Sequence, residues 1–318
     1  MKKILSIDGG GIKGVFPASV LATIEDSIDD RISNYFDLIV GTSTGGIIAL
    51  GLGLGLSAKE ILDFYENLGS RVFKRVPVIQ NLKQWLFSKY SHKPLRDVLE
   101  TRFGEKKLGE STKRLVIPSM NLETGEVYIY KTSHHQRFER DYKEKVVDIA
   151  LATAAAPTFF PTHRTEAGTP LIDGGMWANN PVGLAVVEAI SILEWPRKNL
   201  KVLSLGCTTQ PLSVCKGRDL PLGKGYWALK IIDVFMTAQS SHSFGTAKLL
   251  VGPNNLYRIS PVVETGRFGL DSYKKIPSLK GLGGCCKKAV FFIQGTSFNF
   301  LKPKATVFTG NKCLNVAM

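Results

Sequence analysis

Apolar residues along this chain come in short blocks that switch between two periods. Ile4, Leu5 and Ile7 form a brief run that stops at Asp8, and Phe36 to Val40 form a second that stops at Gly41. Runs this short, closed by turn residues, predict strands. Between them Val15, Ala18, Leu21, Ala22 and Ile24 recur at helical spacing and predict a helix over Gly14 to Ile28. Thr44 to Leu56 predicts a second, buried helix, and Ser57-Ala58-Lys59-Glu60 has the form of a capping box that opens a third. Lys113 to Ser119 and Glu126 to Tyr130 alternate as strands around Glu123-Thr124-Gly125. Val146 to Ala155 reads as a small, close-packed helix, and Leu171 and Ile172 end a strand at Asp173. Pro181 to Leu193 reads as a helix and Leu200 to Leu205 as a strand. Strands that alternate with helices predict an α/β fold with a mostly parallel central sheet and helices on both faces. No internal repeat or long linker interrupts the pattern. The expected organisation is one domain over residues 1–280, with residues 71–96 as an insertion on it and 281–318 as an atypical tail.

Composition narrows the class. The chain has 318 residues, 44% of them hydrophobic, and a mean hydropathy of +0.02, which suits a protein with a sizeable core. No apolar stretch reaches the roughly 18 residues of a membrane span. Lys2 and Lys3 are followed too soon by Asp8 for a secretory leader. The five cysteines, Cys207, Cys215, Cys285, Cys286 and Cys313, are odd in number and do not repeat a zinc-ligand spacing. They read as free thiols of a reducing cytoplasm, and neither a metal nor a cofactor is expected.

The net charge of +14 is unevenly spread. No acid falls between Glu66 and Asp97, where Arg71, Lys74, Arg75, Lys83, Lys89, Lys93 and Arg96 mix with Phe73, Trp85, Phe87 and Tyr90. Bases interleaved with large aromatics suit an anionic membrane surface or a nucleic acid, or form a plain solvated face. No nucleic-acid-binding motif accompanies them, so the expectation is a membrane contact or lid at 71–96 and no nucleic-acid partner. From Gly281 to Met318 the chain opens with Gly-Leu-Gly-Gly-Cys-Cys-Lys-Lys and has no acid and no clean period. A basic tail and an altered reading frame both fit it.

Candidate chemistry begins at Ser43. The segment Gly41-Thr42-Ser43-Thr44-Gly45 sits between a predicted strand and a predicted helix. A serine on such a turn is lifted out of the packed layers, and Gly41 and Gly45 permit the tight backbone. The following helix starts at the serine and aims its free N–H groups at any oxyanion formed there. Upstream, Asp8-Gly9-Gly10-Gly11-Ile12-Lys13-Gly14 spells G-x-G-x-x-G after a strand. The dinucleotide reading of that pattern wants an acid at the end of the second strand, and this chain has Gly41-Thr42-Ser43 there. The alternative use is bare backbone N–H groups aimed at a developing negative charge, with Lys13 adding positive charge nearby.

A serine nucleophile needs a base. Of His92, His134, His135, His163 and His242, only His242 follows Asp173 as the hydrolase order requires, and it falls inside a predicted helix. Asp173 is the better candidate. It ends an apolar strand, is exposed by Gly174 and Gly175, and in a parallel sheet would share a rim with Ser43. An Asp that merely caps the next turn remains the plain alternative.

Together the Asp8–Gly14, Gly41–Gly45 and Asp173–Gly175 segments resemble the patatin-like phospholipase family. Ala154-Ala155-Ala156-Pro157-Thr158-Phe159-Phe160-Pro161 and Asn179-Asn180-Pro181 are similar to its pattern too. The resemblance implies a three-layer fold and a Ser–Asp dyad that hydrolyses lipid acyl esters at a phospholipid membrane. It implies Ser43 as nucleophile, Asp173 as base, and Gly9, Gly10, Gly11 and Lys13 at the oxyanion hole, with Gly14, Gly41, Gly45, Gly174 and Gly175 as motif positions. Many members end the last motif in Ala where this chain has Gly175. The stretch Met236 to Ser243 is similar to bacterial members switched on by cyclic nucleotides in antiphage defence, which implies a cyclic dinucleotide activator and leaves a homo-oligomer open. Two other classes compete: a nucleotide-binding regulatory module, and a catalytically silent membrane-binding protein.

Overall fold

The computed structural model describes residues 1–28, 30–73, 88–211 and 223–285. The alternating blocks form one eight-stranded sheet. Strands β1 (Lys2–Ile7), β2 (Leu38–Gly41), β3 (Arg114–Asn121), β7 (Leu200–Leu205) and β8 (Leu256–Ile259) run parallel, in the order β3-β2-β1-β7-β8. Two strands run against them, β4 (Val127–Lys131) and β6 (Pro170–Asp173), both antiparallel to β3; the short β5 (His163–Arg164) pairs antiparallel with β6 and so runs with the parallel set.

Helices cover both faces because the parallel strands are apolar on both sides. On one face Leu5, Ile7 and Ile39 pack with α1 (Val15–Glu25), α2 (Thr44–Gly53), α3 (Ala58–Val72), α4 (Lys93–Phe103), α5 (Val146–Thr153) and α9 (Ile276–Gly284). On the other, Ile4, Leu38, Val40 and Val202 pack against α7 (Val182–Val187) and the end of α8 (Lys224–Val251). Between these lies the short α6 (Gly175–Ala178). The period-2 alternation within a strand thus separates two cores. The capping box forms: Ser57 Oγ accepts from Glu60 N–H while the Glu60 carboxylate accepts from Ser57 N–H at 2.8 Å.

The direction of β6 differs from the expectation. Asp173 was expected at the rim of a parallel sheet, but Ser119 pairs Asp173 in antiparallel register. Strand β2 pairs only the first residues of β3, Arg114 to Val116. Strand β6 pairs the later ones and points back toward the end of β2. Two strand ends therefore meet head to head, and Ser43, just past β2, faces Asp173, the last residue of β6.

The 71–96 segment is bound into the domain where it is described; residues 74–87, with Trp85 and Phe87, lie outside the described residues. Phe73 is buried, edge-on to Tyr90 with ring centroids 5.4 Å apart. The Lys89 ammonium and the Tyr90 hydroxyl both hold the Asp271 carboxylate, and Arg96 pairs Asp148 at 3.0 Å. Phe73 and Tyr90 thus pack inside the molecule, and Lys89 and Arg96 are spent on acids of the same chain. Residues 286–318, most of the basic tail, also lie outside the described residues.

Candidate active site

Ser43 stands on the turn between β2 and α2 with φ 55° and ψ −124°. A non-glycine residue at positive φ costs roughly 1–3 kcal/mol and persists only where the surroundings force it. The forcing is visible. A Cβ at Gly45 would lie 2.3 Å from the Ile7 carbonyl oxygen, so only glycine lets α2 start this close to β1. The Ser43 N–H donates to Thr153 Oγ1 at 3.0 Å, and Thr153 in turn donates to the Pro118 carbonyl at 2.6 Å. The turn is thereby tied to α5 and β3.

The Ser43 hydroxyl donates to Asp173 Oδ2 at 2.7 Å. The other carboxylate oxygen accepts from the Gly175 N–H, also at 2.7 Å. Asp173 is 5% exposed. Burial pushes its carboxyl up to about 6, while the Gly175 and Ser43 hydrogen bonds pull the other way. Gly174 allows the turn to press on β3: a Cβ there would meet the Pro118 carbonyl at 2.3 Å.

The glycine loop lies across from this pair. Ideal Cβ atoms at Gly9 would come within 3.1 Å of Ser43 Cβ and 2.5 Å of Asn179 Oδ1, so the loop approaches the serine as only bare backbone can. The Gly9 N–H donates to the Asn179 carbonyl at 2.9 Å. Of the three candidate donors, then, Gly9 is already engaged. The Gly10 and Gly11 N–H groups have no acceptor among the described residues. Lys13 lines the same cavity, and Gly14 packs on Thr44, where a Cβ would sit 3.1 Å from the threonine's own. The cavity has a volume of about 810 Å³ and an apolar lining that includes Ile47, Leu68, Phe73, Phe160, Phe235 and Leu270. None of the five histidines lines it, and His242 is exposed on α8.

Several residues around the site were not singled out in the sequence. Arg258, on β8, clasps Asp8 with both guanidinium nitrogens, at 3.2 and 2.5 Å, and donates to Ser204 Oγ at 2.6 Å. Thr153 sat unremarked in an apolar helix. Gln239 on α8 accepts from the Asn179 N–H at 2.7 Å, and Ser243 donates to the Asn180 carbonyl at 2.6 Å. The stretch Met236 to Ser243 therefore braces the Asn179-Asn180-Pro181 loop, which in turn holds Gly9. Cys207 packs under Gly10, and burial pushes its thiol up to about 12, so it stays protonated beside the site. Among the described residues no group of three or more His, Cys, Asp or Glu is placed to hold a metal, and no helix is long and apolar enough to cross a membrane.

Comparison with known proteins identifies the family. The family model described as patatin-like phospholipase matches residues 5–186. A cGAMP-activated phospholipase of Pseudomonas aeruginosa is 37% identical over 259 residues, 80% of this chain and 77% of that one. A cGAMP-activated phospholipase of Vibrio cholerae is 36% identical over 235 residues, and this chain covers 66% of its length. Among solved structures, VipD from Legionella pneumophila aligns with 88% of this chain and 66% of its own at a TM-score of 0.43 and 14% identity. The chain belongs to the patatin-like phospholipase family and is a lipid acyl hydrolase of that class.

Proposed function

We propose that the protein releases fatty acids from membrane phospholipids by two-step acyl transfer through Ser43 and Asp173. The observation that carries this reading is the 2.7 Å contact between Ser43 Oγ and Asp173 Oδ2 at the floor of an apolar cavity. Asp173 takes the hydroxyl proton as Ser43 Oγ bonds to the ester carbonyl carbon. The Gly10 and Gly11 N–H groups, and not Gly9, receive the oxyanion, each donor contributing roughly 3 kcal/mol as at other acyl-transfer sites. The tetrahedral intermediate collapses, the C–O bond to the lysolipid breaks, and the lysolipid oxygen takes the proton from Asp173. Water, deprotonated by the same carboxylate, then cleaves the acyl-Ser43 ester.

Control and place belong to the same proposal. The Pseudomonas and Vibrio relatives are named for activation by cGAMP, and a cyclic dinucleotide is the activator we assign here, in an antiphage setting like that of the effectors the 236–243 stretch resembles. The enzyme would work at the cytoplasmic face of a membrane, as a peripheral protein. The test is free fatty acid released from phospholipid vesicles with and without cGAMP. Release by the wild-type chain, strengthened by cGAMP and lost in Ser43→Ala and Asp173→Asn, is expected, with no change on adding a chelator. Full activity in Asp173→Asn would refute the dyad, and indifference to cGAMP would refute the activator.

A further inference from the structure

Helix α8 is two different helices joined end to end. From Gln239 onward it belongs to the domain: Gln239 and Ser243 brace the 179–180 loop, and Ala247 and Val251 are buried in the second core. Ahead of Gln239 several of its described large apolar side chains face outward. Trp227, Ile231, Ile232 and Phe235 are 40, 51, 69 and 52% exposed. Over residues 227–238 the only charged residues are Lys230 and Asp233. A helix in water keeps its large apolar side chains on a buried stripe, so this half is built to be covered by something.

Its position says by what. Ile231, Ile232 and Phe235 also line the cavity that holds Ser43, so the uncovered surface is the outward continuation of the cavity wall. Leu270, 38% exposed, lines the same cavity from a second loop. That loop and the turn after it present exposed Arg267, Lys274 and Lys275 against one exposed acid, Glu264, because Asp271 is held by Lys89 and Tyr90. Apolar side chains at the cavity wall, with exposed cations on the loop that carries Leu270 and the turn after it, match an acyl layer beneath anionic headgroups. A second copy seated here would lie across the wall through which substrate must pass.

We propose that the first half of α8, together with Leu270, is the surface that seats this protein on a bilayer carrying anionic headgroups, so that an acyl chain passes from bilayer to cavity without crossing water. The inference rests on the phospholipase reading and places the membrane contact on α8, away from the described ends of the 71–96 segment.

The test uses the full chain carrying Ser43→Ala, so that lipid is bound and not consumed, sedimented with vesicles of phosphatidylethanolamine and phosphatidylglycerol or of phosphatidylcholine alone. Binding to the phosphatidylglycerol vesicles is expected, weaker with phosphatidylcholine and weaker with added salt. Adding Trp227→Glu and Ile232→Glu should lower it on the order of tenfold or more, while Ile232→Phe keeps it. Ile232 is 69% exposed, so Ile232→Glu alone should lower binding with the thermal midpoint unmoved, which separates lost seating from lost folding. Equal binding by the double variant overturns the proposal, as does a self-association that the two changes abolish while vesicle binding stays. Fatty-acid release by the chain with native Ser43 reads the catalytic assignment separately. Binding without release sinks that assignment alone, and release with undiminished binding of the double variant sinks the α8 surface alone.

Discussion

Asp8 and Asp173 begin from the same circumstances and end with different work. Each lies at the carboxyl end of a strand, each lines the cavity, and each is almost inaccessible, at 4 and 5%. Burial raises both carboxyls above their ordinary value. What separates them is the partner. Asp8 gives both oxygens to the Arg258 guanidinium, whose charge pulls against the effect of burial. Asp173 has only neutral donors, the Gly175 N–H and the Ser43 hydroxyl. A carboxylate clasped by a cation is a strut: it anchors the start of the glycine loop to β8. A carboxylate held by neutral donors at about 6, with a hydroxyl proton against it, is placed to exchange that proton near neutral pH.

The largest effect that could break this contrast is catalytic. Asp173→Asn and Ser43→Ala should each lower vesicle hydrolysis by roughly 10⁴-fold or more, with the fold retained. A residual rate that is the same for the two single variants and the double variant would show the pair acting as one unit. Arg258→Met tests the strut. It leaves Asp8 buried with no cation bonded to it, and removing one partner of a buried pair costs about 3–5 kcal/mol, to be read from denaturant unfolding. Arg258→Lys restores the charge but not the two-pronged grip, and should fall between. An unchanged unfolding curve for Arg258→Met would mean that Asp8 is not held as drawn.

How far the sequence reached depends on the same division between local and distant contacts. The Ser43 turn was legible because strand, glycines and helix are contiguous, and the physics of the turn lies within a few residues. Most strands and helices up to Leu205 were legible for the same reason, though the helix Lys93–Phe103 and the short strand β5 went unread. Asp173 was found through its flanking glycines, but the reason offered, a shared parallel rim, was mistaken. The direction of β6 is set by its pairing with β3, which no local pattern announces. Gly9 was read as an oxyanion donor from the resemblance and its bare glycine backbone, and the acceptor that engages its N–H, Asn179, lies far along the chain. Arg258 meets Asp8 across 250 positions of chain, and nothing around Arg258 marks it. The aromatics Phe73 and Tyr90 read as surface because bases surround them, whereas Lys89 finds its acid at Asp271.

Asp173→Asn has a second, smaller consequence with the opposite sign. A carboxyl raised from 3.8 to about 6 in the native state holds its proton more tightly there than in the unfolded chain. Its stabilising contribution is complete below about 3.8 and is lost as pH rises through about 6. At neutral pH the ionised group thus costs the fold up to about 3 kcal/mol, at 1.36 kcal/mol per pH unit. Asn keeps an oxygen for the Gly175 N–H and carries no charge, so the inactive variant should be the more stable one at pH 7, by up to that amount. The advantage should vanish near pH 4. A variant no more stable than the wild type at pH 7 would mean that Asp173 is better solvated than its burial implies.

The gentlest test is the pH profile, where the expected change is about tenfold per pH unit. Asp173 accepts a proton, so only its ionised form works. Below about 6 the protonated fraction grows, and kcat/KM should fall with a slope of one as pH drops; above about 6 it should be flat until some other group titrates. An inflection near 4 would describe an ordinary exposed carboxyl and place the base outside the buried site. A histidine would inflect close to the same pH, so position alone does not separate the two. His242→Ala does: His242 is exposed and lines no part of the cavity, so the inflection should stay where it is. Arg258→Lys sharpens the result further. If Asp8 is only a strut, loosening its clasp lowers the plateau by disturbing the glycine loop and leaves the midpoint in place, whereas a midpoint that moves with Arg258 would mean that the two carboxylates share one titration.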